Sequence, residues 1–352
     1  MKSPLQLLPG LMVGSCRLEK KLGQGGMGAA WLAHHTGLDS GVVLKFMLAN
    51  DDPVGQARFV QEARIAARLR HPNVVQVYDC AEFEGMRYIV MEFCPGGTAT
   101  SLMKREGPFS EQRALAMITG LANALDYAAS FNIIHRDIKP DNILLSAQGD
   151  AKLADLGLAK ILSIGTDQPH FVATHSGVGM GTPLYMPPEQ IAGAKYADAR
   201  SDLYSLGATF YHLVCGRPPF SGASALEVMV KHSKEAATDP RSYVPTLSDV
   251  FAAMLCKLLE KNPAKRYQSA RELLDALKTL GTAPQHNEPR LHNDPRPQGS
   301  GNRSEDAGVP DPLRSRLVDH DLDVDPENDR ATKEVEEGLR ILKMLKKQKG
   351  KL

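Results

Sequence analysis

Residues 133–145 read IIHRDIKPDNILL. His135, Arg136, Asp137, Lys139 and Asn142 fall in one run with the spacing H-R-D-x-K-x-x-N, too specific to be a coincidence of buried charge. Other stretches stand around it in fixed order. Upstream lie LGQGGMGAA at residues 22–30 and a lysine, Lys45, in the apolar segment VVLK. Downstream, AKLADLGLAK places Asp155-Leu156-Gly157 thirteen residues after Asn142, and GTPLYMPPEQ and RSDLYSLG follow.

The glycines Gly23, Gly25 and Gly28 spell G-x-G-x-x-G, a spacing shared by two unrelated kinds of nucleotide site. A dinucleotide fingerprint requires a helix straight after the glycines and an acidic residue about 20 positions on. Here the glycines run into strand-like AAWLAHH, and seventeen residues past Gly28 stands the cation Lys45. No G-x-x-x-x-G-K-[ST] is present, which excludes a Walker A loop. A glycine-rich hairpin over phosphates, with a lysine on the next strand, is the protein-kinase arrangement.

Apolar periodicity supports the same architecture. CRLEKKLG, AAWLAHH, SGVVLKFML, NVVQVYDCAEF and MRYIVMEF have strand character, interrupted by one helical segment, GQARFVQEARIAARLR. From about residue 98 the chain reads as helical, opening with Ser110 as an N-cap, and further helices are expected at about 200–215, 224–232, 247–259 and 268–280. A strand-rich segment before a helix-rich one predicts an α+β, two-lobed fold.

In number and order the motifs resemble the eukaryotic-like Ser/Thr protein kinases, particularly the bacterial branch, over about residues 15–280. The resemblance implies the protein-kinase fold, a small β-rich N-lobe (16–93) and a larger helical C-lobe (98–280), with ATP in the cleft between them. Backbone N–H groups of Gly23 to Gly28 cover the phosphates, within a nucleotide-binding stretch comprising Leu22, Gly23, Gln24, Gly25, Gly26, Met27, Gly28, Ala29 and Ala30. The resemblance also implies that Lys45 binds the α- and β-phosphates and that Glu62 fixes Lys45 by an ion pair. By the same resemblance Asn142 and Asp155 are expected as the metal ligands, for Mg²⁺ with Mn²⁺ as a substitute. Asp137 accepts or orients the proton of the attacking hydroxyl, and Lys139 lies near the transferred phosphoryl group and indicates a Ser/Thr acceptor. Glu92 to Cys94 form the hinge whose backbone meets adenine, while Ala30 and Val43 line one face of the ring and Leu144 the other. His135 and Asp202 resemble internal struts, Glu189 and Arg266 a buried ion pair, and Thr182 the threonine that supports the catalytic loop.

The chain departs from the family pattern at Leu156, where phenylalanine is usual, at Pro187, where alanine is usual, and at Ala30 and Val43, where valine and alanine are usual. The last two changes are opposite in size, which suggests an exchange of volume across one pocket wall. Arg136, immediately before Asp137, marks kinases whose activation loop is ordered by a phosphate, and Thr174 and Ser176 match the autophosphorylation positions. The resulting expectation is transfer of the γ-phosphoryl group of Mg-ATP to protein Ser/Thr hydroxyls, with a homodimer for trans-autophosphorylation. A pseudokinase scaffold is the alternative; a small-molecule kinase is disfavoured by GTPLYMPPEQ, which resembles a protein-substrate platform.

Composition sets the remaining bounds. Lys plus Arg total 42 against 41 Asp plus Glu, so no overall field draws nucleic acid. Five scattered cysteines without a C-x-x-C pair fit a reduced, cytoplasmic protein. The N-terminal extension, residues 1–15, does not read as a signal peptide, and no run of about 18 apolar residues predicts a membrane span. Residues 281–328 read as a disordered linker. Within that region and just beyond, Asp321, Asp323 and Asp325 imitate a calcium loop, but Pro326 and Thr332 stand at its glycine and glutamate positions. Residues 329–352 suggest a basic amphipathic helix, able to make weak contact with a partner or an anionic membrane.

Overall fold

A computed structural model describes residues 7–25, 28–47, 63–64, 66–155 and 182–281. The N-terminal lobe is a six-stranded antiparallel sheet in the order β1-β2-β3-β4-β6-β5, formed by β1 (Met12–Val13), β2 (Cys16–Gly25), β3 (Gly28–His35), β4 (Ser40–Met47), β5 (Val77–Phe83) and β6 (Met86–Glu92). Residues 63–64 and 66–68 are helical.

Strand alternation divides this lobe into two apolar layers. Ala29, Trp31, Val42, Leu44 and Phe46 face an outer core with Val13, Leu18 and Tyr88. Val43, Ile89 and Met91 face the other way, into a cluster with Ala63, Val75, Cys94 and Ala154 that Ala30 and Leu144 also join. β4 therefore buries residues on both faces, and Lys45, two residues beyond Val43, opens on the second face.

The C-terminal lobe comprises α1 (Ala99–Glu106), α2 (Glu111–Ala129), the hairpin β7 (Ile143–Leu145) and β8 (Ala151–Leu153), then α3 (Pro188–Ala192), α4 (Ala199–Cys215), α5 (Ala225–Lys234), α6 (Asp249–Leu258) and α7 (Ala270–Gly281). Ser110 caps α2, its hydroxyl accepting from the Arg113 N–H, as its place before the apolar periodicity predicts. Asp198 and Ser201 close a capping box on α4, and Gly216 ends that helix in the left-handed region at φ 68°. Nearly the whole of α4 is buried, so it forms the axis of the lobe; a Cβ at its Gly207 would lie 2.5 Å from Leu258 Cβ, which marks how closely α6 approaches. The two lobes are joined by a bridge between Val74 and Leu153 and by the Val75 N–H to Leu153 carbonyl bond. Among the described residues no helix is long and apolar enough to cross a membrane.

Candidate active site

The glycine-rich stretch is a hairpin between β2 and β3, paired through Gly23 with Ala30, Gln24 with Ala29 and Gly25 with Gly28. Its tip, Gly26 and Met27, lies outside the described residues. The glycines differ in why they are needed. A Cβ on Gly28 would meet the Phe46 carbonyl oxygen at 1.9 Å, so this glycine permits β3 to approach β4; a Cβ on Gly23 would stand in open space. Leu22 is exposed, Gln24 accepts from the Lys21 ammonium, and Ala29 turns its side chain into the outer core, away from the face that carries Ala30.

Register places the next residues. Ala30 pairs with Lys45 and Lys45 with Ile89, while Val43 pairs with Leu32 and Met91. Cross-strand partners share a face, so Ala30 and Val43 are diagonal neighbours on the surface that bears Lys45. Cys94 and Leu144 belong to the same cluster, and burial raises the Cys94 thiol to about 11. The Glu92 carboxylate is held by Lys152 Nζ at 2.9 Å and by the Gln76 N–H at 3.1 Å, and the Glu92 N–H donates to the Gln76 carbonyl at 2.8 Å, so this hinge residue is pinned through both its side chain and its backbone N–H.

Lys45 Nζ lies 2.6 Å from Asp155 Oδ1, across 110 residues of sequence. Its other expected partner, Glu62, lies outside the described residues. Asp137 Oδ2 accepts from Lys139 Nζ at 2.6 Å and from Asn142 Nδ2 at 3.0 Å, and Asn142 Nδ2 also donates to the Asp137 carbonyl at 2.7 Å. The Asn142 amide nitrogen is thus directed at Asp137, which leaves its Oδ1 as the oxygen able to meet a cation. Among the described residues no three His, Cys, Asp or Glu converge on one point. A pair of oxygen donors from Asn142 and Asp155 suits a cation such as Mg²⁺, which keeps waters and takes further ligands from phosphate.

The backbone around Asp137 is tied at nearly every polar group. Asp202, buried at the start of α4, accepts from the N–H groups of His135 and Arg136, both at 2.8 Å. Burial raises the Asp202 carboxyl pKa, against the opposing pull of His135, those two N–H groups and Arg136. His135 Nε2 meets the Ala154 carbonyl at 2.8 Å, its Nδ1 accepts from the Asp137 N–H at 3.2 Å, and the Ile138 carbonyl accepts from Thr209 Oγ1. Asp155 and Arg136 both adopt positive φ, 60° and 65°.

Behind this loop, α3 is anchored by the expected pair of Glu189 and Arg266. The guanidinium, inaccessible to solvent, donates to Glu189 Oε1 and Oε2 at 2.6 and 2.9 Å and to the carbonyls of Glu260, Arg200 and Lys261, which uses all five of its N–H groups. A second buried series went unread in the sequence. His232 Nε2 bonds the Leu184 carbonyl at 3.0 Å, so it carries the proton, and Nδ1 accepts from Tyr204 Oη at 2.8 Å; Tyr204 Oη in turn accepts from Lys261 Nζ at 3.1 Å. Burial lowers His232 to about 3 and Lys261 to about 8. Neither His232 nor Lys261 lies in a recognisable motif, so only the packing of α4, α5 and the segment after α6 finds them. Thr174 and Ser176 lie outside the described residues, as does the tail.

A β-sheet lobe over a helical lobe, with a glycine hairpin, a Lys–Asp pair and an Asp braced by Lys and Asn between them, defines a protein of the two-lobed protein-kinase fold. The protein kinase domain model matches residues 16–277, and the chain belongs to the protein kinase family. Members of this family use ATP with a divalent metal ion. The chain is 39% identical over 271 residues to the "Probable serine/threonine-protein kinase PknB" of Bifidobacterium longum, covering 74% of this chain and 38% of that protein. It is 38% identical to a probable serine/threonine-protein kinase of Streptomyces coelicolor (75% of this chain, 40% of that one). It is 39% identical to the serine/threonine-protein kinase PknB of Mycobacterium tuberculosis (72% and 40%). The chain thus spans about two fifths of the length of these relatives.

Proposed function

We propose that the protein is a Ser/Thr protein kinase that transfers the γ-phosphoryl group of Mg-ATP to protein hydroxyls and phosphorylates its own activation segment. The observation that carries this reading is the bracing of Asp137: one carboxylate oxygen is held by Lys139 and Asn142, and the backbone on either side is tied to the lobe interior. A carboxylate fixed in this way is preorganised to receive the proton of an acceptor hydroxyl. Lys139, 2.6 Å from it, places positive charge where the transferred group gains negative charge. Lys45 is held at the cleft by Asp155 and is positioned to take phosphate oxygens. Asn142 and Asp155 would hold the metal, which when bound neutralises charge between the phosphates. Ala30, Val43, Cys94 and Leu144 supply an apolar enclosure for adenine.

Regulation fits Arg136. Its Nε is buried without a partner among the described residues, and burial lowers its pKa, with Asp202 opposing. An anion beside it satisfies both conditions, and phosphorylated Thr174 or Ser176 supplies one. The proposed kinase domain spans residues 16–280, followed by a linker and a basic helix at 329–352 for a partner or anionic lipid. Trans-autophosphorylation takes place between two copies in the cytoplasm.

The test is incubation of the purified chain with Mg-ATP and a generic protein acceptor, with phosphosites mapped. Phosphoserine and phosphothreonine are expected, and Asp137→Asn is expected to abolish their formation while nucleotide binding persists. Transfer at an undiminished rate in Asp137→Asn refutes the assigned role. A Thr174→Ala, Ser176→Ala double variant that matches the wild type refutes the regulatory site.

A further inference from the structure

Gln190 follows the ion-paired Glu189 in α3, and its Nε2 donates to the backbone carbonyl of Arg136 at 3.0 Å. That carbonyl belongs to the peptide group leading directly into Asp137. The other end of the same peptide, the Asp137 N–H, donates to His135 Nδ1 at 3.2 Å. The plane of the peptide is therefore fixed at both ends, and its rotation would swing the Asp137 side chain. Restraint is needed here because Arg136 sits at φ 65°, a conformation that costs a non-glycine residue about 1–2 kcal/mol.

The other ties on this loop come from within it, from α4 or from Ala154 just after β8: Asn142 to the Asp137 carbonyl, Thr209 to the Ile138 carbonyl, Asp202 to two N–H groups, and Ala154 to His135 and Asn142. Among the described residues Gln190 supplies the hydrogen bond that reaches the backbone of this loop from the chain that ends the activation segment. Its base is immobile, because Glu189 is locked to Arg266 and to Ser201 Oγ. Its amide orientation is set by chemistry: with the group flipped, Oε1 would oppose the carbonyl oxygen, acceptor against acceptor.

We propose that Gln190 is a positioning residue for phosphoryl transfer, its amide clamping the Arg136–Asp137 peptide and so holding Asp137 toward the acceptor. The role rests on the kinase reading above. It makes the placement of α3, and hence of the segment preceding it, a condition for a correctly aimed Asp137.

The test uses the full chain with Gln190→Met, which keeps length without a donor, and Gln190→Glu, which puts an acceptor against the carbonyl. Rates are normalised to nucleotide-binding sites, so that loss of folded protein lowers sites and activity together and leaves kcat per site unchanged. The expected result is a kcat about tenfold lower in Gln190→Met and lower still in Gln190→Glu, with KM for ATP within about twofold of wild type. Independently of turnover, the Asp137 amide hydrogen should exchange faster in Gln190→Met. An unchanged kcat per site, or unchanged exchange, overturns the clamp. A wild-type chain that binds nucleotide and transfers nothing overturns the kinase reading and, with it, the catalytic consequence of the clamp; the exchange result then tells the two failures apart.

Discussion

Replacing Glu189 by Gln keeps the volume of the side chain and removes its charge. Arg266, with no solvent access, then retains three carbonyl acceptors but loses its counter-charge, and one of its N–H groups faces an amide N–H instead of a carboxylate oxygen. Breaking one partner of a buried pair costs about 3–5 kcal/mol, about a fifth or more of the roughly 5–15 kcal/mol that holds an ordinary domain together. At about 2–4 °C per kcal/mol for a chain of this size, the thermal midpoint should drop by roughly 6–20 °C. Calorimetry gives the midpoint and urea unfolding the free energy. The double variant Glu189→Gln, Arg266→Met removes the isolated charge as well, so it should cost about 2 kcal/mol or more less than the sum of the single costs. A cost under about 1 kcal/mol for Glu189→Gln, or simple additivity, would show that α3 is not held by this pair.

The glycines of the hairpin should separate in their effects. Gly28→Ala forces a methyl against the Phe46 carbonyl and should lower the thermal midpoint, whereas Gly23→Ala enters open space and should leave it unchanged; equal midpoints refute the distinction. Ala30→Val should weaken ATP binding by filling the cleft face, and adding Val43→Ala should restore it because the two are diagonal neighbours; titration calorimetry showing additive losses rules out the exchange. Lys261 is lowered from 10.5 to about 8, so between those values the unfolded chain binds more protons and stability rises with pH. Relative to Lys261→Met, the wild type should gain up to about 3 kcal/mol over that interval in urea unfolding, and parallel pH curves refute the assignment. His232 is lowered from 6.5 to about 3, so its contribution is complete above pH 6.5 and is lost as pH falls through 3. The acid limb of the unfolding curve should therefore be shallower in His232→Gln, and an unchanged limb refutes the buried neutral imidazole.

The order of motifs and the two periodicities determined the class of fold by themselves, because alternation and helical spacing are local properties of the chain. Ser110 as a cap, the strands on either side of Lys45 and the central helix begun by RSDLYSLG were legible for that reason. The roles of the glycines and the wall shared by Ala30 and Val43 required sheet register, which joins residues by hydrogen bonding rather than by spacing. The bond from Gln190 to Arg136 spans 54 residues, and the one from Lys261 to Tyr204 spans 57. Nothing in either neighbourhood announces its partner. Sequence alone fixed which chemical groups were present and in what order; only the packing of α3 against the loop before Asp137, and of α4 against α5, decided which of them meet. Contacts so distant along the chain form only once burial of the apolar cores has brought those elements together.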